Sequence, residues 1–102
     1  MKGFLGTDVI TVSSTAQMWE QEEGKQVEQI IVKEQSDAGT PIRIAFSGST
    51  GDVEDGGAYF FLNAGEALTI PFYALQSGSF AYRLHDPLAP SAKFTVTMFC
   101  RS

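Results

Sequence analysis

The 102 residues predict an all-β fold: a single antiparallel β-sandwich or jelly-roll-like barrel of six to seven short strands. Three observations lead there. Apolar residues recur at every second position over most of the chain, which in a strand puts them on one face. Those runs are dominated by β-branched and aromatic side chains, the types that pack well on a pleated surface. Between the runs fall clusters of Gly, Pro, Asn, Asp and Ser, which supply turns.

The elements follow in order. Residues 8–14 are a first strand candidate. Residues 15–25, with Ala16, Gln17, Met18 and Glu20 among them, hold good helix formers and leave room for a short helix. Residues 26–34 fit a helical spacing at Val27, Ile30 and Ile31, but read by twos they make a strand, which is the better partner for the run that follows. In that run Ile42, Ile44 and Phe46 alternate with Arg43, Ala45 and Ser47, giving an apolar face and a wetter reverse. Residues 58–63 are a further candidate. Leu68, Ile70 and Phe72 define another, where Pro71 lacks an N–H and so calls for an edge position. Phe80, Tyr82 and Leu84, then Phe94, Val96, Met98 and Cys100, complete the set. Turns are expected at residues 36–41, 47–57, 63–66, 76–79 and 86–90.

This is one domain, residues 1–102, since 43% hydrophobic and 12% aromatic residues suffice for one modest core. Residues 1–7, where Phe4 and Leu5 are flanked by Gly3 and Gly6, read as a flexible apolar N-terminal arm. The start lacks the apolar run of a signal peptide, so the chain is expected to be made in a cytoplasm. The longest apolar run, residues 58–62, is far too short for a bilayer, so no membrane association is expected.

Composition also excludes chemistry. Twelve acids against seven bases, with no Lys/Arg cluster, argue against nucleic-acid binding. One Cys and one His cannot build a disulfide or a multi-histidine metal cage, and Cys100 reads as a buried thiol. His85 and Asp86 are adjacent on a strand end, so they point to opposite faces and make no relay pair. The carboxylates of Asp52, Glu54 and Asp55 do not follow EF-hand spacing and read as a solvated acidic loop. No nucleophile motif, phosphate loop or distinctive carboxylate pair is present. No catalytic residue, cofactor or metal is therefore expected, and the chain reads as a non-enzyme. Charge is uneven: residues 1–66 carry eleven acids and four bases (net −7), residues 67–102 one acid and three bases (net +2). Such asymmetry can orient docking. The candidate partner-interface residues are Phe4, Leu5, Met18 and Trp19, with packing on the core the other reading of Met18 and Trp19. Tyr59, Tyr73 and Tyr82 are the candidates for an aromatic sugar platform.

The run Thr40-Pro41-Ile42-Arg43-Ile44-Ala45-Phe46-Ser47-Gly48, followed by Phe60-Phe61-Leu62-Asn63-Ala64-Gly65-Glu66-Ala67-Leu68-Thr69-Ile70-Pro71-Phe72, resembles the small β-sandwich virion proteins of tailed bacteriophages, which decorate or cement capsids or form head appendages. The resemblance covers about residues 26–99. It implies a structural virion protein, most simply a capsid decoration or cement protein that binds the outer lattice and stabilises the head. It implies a major capsid protein or other virion protein as partner, a homo-oligomer (dimer or trimer), and location in the virion. The alternative is a β-sandwich carbohydrate-binding or adhesin-like module of a fibre or spike.

Overall fold

The computed structural model describes residues 2–20, 27–35, 41–46, 49–71, 78–89 and 91–101. Among them are eight strands: β1 (Lys2–Val12), β2 (Gln17–Glu20), β3 (Val27–Glu34), β4 (Ile42–Ala45), β5 (Phe60–Leu62), β6 (Ala67–Pro71), β7 (Ser79–Leu84) and β8 (Ala92–Arg101). A single turn of 3₁₀-helix, Thr50–Val53, lies between β4 and β5. The strands form two antiparallel sheets. The first runs β1-β8-β3-β6 and the second β2-β7-β4-β5.

That order has a simple origin. β4 pairs with β5, β3 with β6, β2 with β7 and β1 with β8, always antiparallel. In each pair the partners lie about equally far along the chain from the 3₁₀ turn. The chain is thus one long double ribbon folded at its midpoint and wound up, which is the eight-stranded jelly roll. Winding brings β8 against β3 and β7 against β4, closing the two sheets.

The alternate apolar positions meet between the sheets. Val12, Ile30, Val32, Ile70, Phe94, Val96 and Met98 face inward from the first sheet, and Trp19, Ile42, Ile44, Leu62, Phe80, Tyr82 and Leu84 from the second. Aromatic rings form the centre: Phe80 stacks on Trp19 at 5.4 Å, and Phe94 stands edge-on to Tyr82 at 5.0 Å. Burial pushes the Tyr82 phenol above its ordinary pKa, and its hydroxyl donates to Gln17 Oε1.

The eighth strand is β2. Residues 17–20, left open to a helix by composition, are extended because they pair with β7 and seat the Trp19 ring on Phe80; tertiary packing outweighs a weak propensity. Residues 21–25 of that stretch lie outside the described residues. Residues 2–7, expected as an arm, are instead the first half of β1, hydrogen-bonded along β8 from Lys2↔Arg101 onward with a register shift at Phe4/Gly6. Leu5 turns inward there and packs on the core. Pro71 does end an edge strand, β6, opposite Gln29 of β3. The turn at 63–66 is set by Gly65 at φ +77°, closed by Glu66 N–H donating to the Asn63 carbonyl. Cys100 is half-buried at the end of β8 rather than fully enclosed.

The ring stack is the part of the core least able to collapse around a void. Phe80→Ala or Phe94→Ala should each lower stability by about 3–5 kcal/mol, read as a fall in the urea midpoint with little change in slope. A loss under 1 kcal/mol would mean that the inter-sheet packing is looser than described.

Candidate functional site

The second sheet departs from simple alternation. β4 and β7 are buried at every position, on both faces. Their inner residues belong to the core; their outer residues, expected to be wet, lie under the segment 49–59. Ala45 and Ala81 are small enough to let Val53 seat on them, and all three are 0–1% exposed. Ala16, Met18 and Tyr59 close this second apolar cluster from the sides.

Register places two arginines beneath the same segment. Arg43 on β4 is the direct cross-strand partner of Arg83 on β7. Like charges directly opposite on a sheet destabilise it, and burial removes the water that would screen them. Acceptors from the covering loop and the strand ends compensate. Arg43 Nη2 donates to Asp55 Oδ1 at 2.8 Å, Nη1 to the Val53 carbonyl at 3.0 Å and Nε to His85 Nδ1 at 3.0 Å. Its guanidinium carbon lies 4.5 Å from the centroid of the Tyr59 ring, a favourable cation–π geometry. Arg83 Nη1 donates to Glu54 Oε2 at 2.9 Å and Nε to the Leu84 carbonyl at 3.0 Å. Phe61 on β5 sits beside Arg43 in register and edge-on to His85 at 4.9 Å, with Tyr59 on its other side at 5.6 Å.

The loop is shaped to deliver these groups. Ser49 Oγ accepts from Gly51 N–H and starts the 3₁₀ turn; Glu54 N–H donates to the Gly51 carbonyl and ends it. The chain then doubles back at Gly56, φ +85°, and Gly57 N–H donates to the Glu54 carbonyl. A Cβ on Gly57 would overlap the Asp52 backbone, so only glycine fits.

The acidic loop is therefore not merely solvated: two of its carboxylates are spent on arginines. The adjacent Arg43 donates to Asp55 and attracts it, holding its carboxyl below the usual aspartate range. His85 is not an idle strand-end residue either: its Nδ1 accepts from Arg43 Nε. This cluster was not legible in the sequence. The available signal was a lone arginine in each of two otherwise apolar strands, residues 42–46 and 80–84; the register that makes them neighbours was not.

The four sequence-named interface residues are not brought together. Trp19 is 4% exposed and stacked in the core, and its Nε1–H donates to Asp8 Oδ2 at 3.3 Å, which makes it a packing residue of the sandwich. Leu5 and Met18 are half-buried against the two apolar clusters. Phe4 stays on the surface, 66% exposed, with its ring edge-on to Phe99 at 6.2 Å. Of the described tyrosines, Tyr82 is in the core and Tyr59 is half-buried against Arg43, so these two share no exposed platform; Tyr73 lies outside the described residues.

The outer face of the first sheet is built differently. Register sets Phe4, Phe99, Gln29 and Pro71 in one row, Thr7, Thr97, Ile31 and Thr69 in the next, and Val9, Thr95, Lys33 and Ala67 in a third. Lys33 is the one charged residue in those three rows. Thr7 and Thr97 share a hydrogen bond between hydroxyls at 3.2 Å. Known protein families, curated proteins and solved structures were compared, and none matches this chain.

Two predictions concern the covering loop. Gly57→Ala should displace it and destabilise the protein by about 1–3 kcal/mol, as overpacking does, with the Tyr59 and Phe61 resonances shifted while core resonances hold. For pH, a carboxyl held below its unfolded value contributes stability that is complete above the ordinary aspartate range and is lost as pH falls through the lowered value. Asp55→Asn should flatten the acid limb of stability in that window and leave neutral-to-alkaline behaviour parallel to the parent, as followed by urea titration at stepped pH.

Proposed function

We propose that this chain is a structural virion protein that decorates or cements a capsid, binding a major capsid protein or another virion protein through the outer face of its first sheet. The observation that carries the reading is how the two faces of the sandwich divide. On the second sheet the two arginines donate to the covering loop, to His85 and to the Leu84 carbonyl, which makes the polar cluster a fastening. On the first sheet the three rows from Phe4 to Ala67 are nearly uncharged in a chain of net charge −5. Depletion of charge with exposed aromatics marks the centre of a protein–protein contact, and Phe4 and Val9, at 66% and 67% exposed, are large apolar side chains left in water. The jelly roll is shared by capsid and lectin domains, so the choice rests on these surfaces and not on the fold. The resemblance of residues 26–99 to phage virion β-sandwiches points the same way.

The test is mass spectrometry of purified particles from the source, with binding of the isolated protein to particles that lack it. Stoichiometric presence, and a roughly tenfold weaker association for Phe4→Ser (about 1.4 kcal/mol), support the reading. Absence from any particle, together with a shift of the protein on a glycan array, overturns it in favour of a carbohydrate-binding module.

A further inference from the structure

We infer that two copies of this chain join through the free edge of β1, antiparallel and centred on Val9, so that the first sheet continues across a two-fold axis. The inference gives the partner and register of one homo-oligomeric contact. Its purpose rests on the assembly role proposed above; its geometry does not.

A sheet edge presents unpaired N–H and C=O groups that template another strand, and proteins commonly protect such edges with short strands, proline, charge or bulges. Three of the four edges here are protected. β2 is four residues long and ends in Glu20, β5 is three residues long, and β6 is five residues long and ends in Pro71. β1 is the exception. It has eleven residues, about 35 Å at ordinary strand rise, in a molecule whose longest extent is 42 Å. It pairs with β8 on one side, and among the described residues no strand pairs with its other side. Its register shift lies between Phe4 and Gly6, which leaves residues 6–12 regular. That segment contains neither proline nor lysine, and its one charge, Asp8, accepts from Trp19.

The segment is self-complementary. Its midpoint is Val9, and the residues sharing Val9's outward face read Thr7-Val9-Thr11, the same in both directions. Antiparallel pairing about Val9 uses the whole regular stretch. It sets Val9 beside Val9 of the second copy, burying a side chain that is 67% exposed in one copy. It sets Thr7 beside the second copy's Thr11, repeating the threonine pairing that Thr7 already makes with Thr97. Asp8 then faces Ile10. A centre at Asp8 would oppose two carboxylates, a centre at Thr7 would carry the register shift into the new ladder, and a centre beyond Val9 would shorten it. The isologous contact closes on itself and joins two weakly charged faces into one surface.

The experiment uses the full chain with Cys100→Ser as background and single cysteines at Thr7, Val9 or Thr11. Opposed Cβ atoms on neighbouring strands approach to about 4.5–5.5 Å, close enough for a disulfide after small adjustment. Under mild oxidation Val9→Cys should cross-link to itself. Thr7→Cys and Thr11→Cys should each remain uncross-linked alone and cross-link when mixed. Light scattering of the unaltered chain should show a dimer, and Val9→Lys, which opposes two ammonium groups at the axis, should weaken it at least tenfold while the far-ultraviolet spectrum is retained. A monomeric parent chain with no Val9→Cys product, a dimer that cross-links through Thr7→Cys alone, or a dimer untouched by Val9→Lys each overturns the inference. Particle association is measured separately, so a monomer that still binds particles removes the edge contact and leaves the virion role standing.

Discussion

The second sheet is organised around two guanidinium groups held side by side. Register sets Arg43 opposite Arg83 on strands whose inner faces are locked into the core, so neither can move away. Their charges have to be met where they stand. The segment 49–59 meets them with a carboxylate for each, a backbone carbonyl and the face of Tyr59. In return the arginines fix the loop, and the loop buries Val53 on Ala45 and Ala81. Breaking one partner of such an arrangement is far costlier than the net stabilisation of an ion pair in water. The acid-sensitive link, Asp55, is also the exposed one: its side chain is 91% exposed, against 4% for Arg43.

The covering loop gives the sandwich unlike sides. Where it lies, the sheet is sealed on both faces and its polar groups are committed. Across the core, the outward residues of the first sheet, among those described, are mostly threonine, aliphatic and aromatic, with Lys33 and Lys93 among them. Binding favours surfaces whose groups need not be torn from strong partners or from ion hydration first. A face of neutral hydroxyls and rings costs less to desolvate than the arginine face. This difference, and not the fold, directs the functional reading towards assembly.

Topology follows from the chain pairing with itself about its midpoint. Each strand's partner lies at a matching distance on the other side of the 3₁₀ turn, and the β4–β5 and β1–β8 pairs lie at the margins of the two sheets. Among the described residues β1 is an edge strand of full length, paired on one side with β8. Edge-shielding residues are found on β2 and β6, namely Glu20 and Pro71; β1 has Lys2 and a register shift at one end, and its regular stretch, residues 6–12, has only Asp8.

Alternation of apolar residues was enough to place most of the strands and the inward-facing side chains, because a period of two leaves one face to bury whatever the partner. Gly65 and Pro71 were equally readable, since a positive φ and a missing N–H are local facts. Other features were decided by neighbours distant in sequence. Residues 17–20 are a strand because β7 lies beside them, residues 2–7 are a strand because β8 does, and Trp19 is core because Phe80 is beneath it. Arg43, Arg83, His85, Glu54 and Asp55 are spread over 43 positions of the chain; only strand register and the fold of one glycine-hinged loop bring them within hydrogen-bonding distance. Local chemistry is written residue by residue, but a cross-strand contact depends on two pairings at once, and a shift of one residue in either would turn those side chains to the other face.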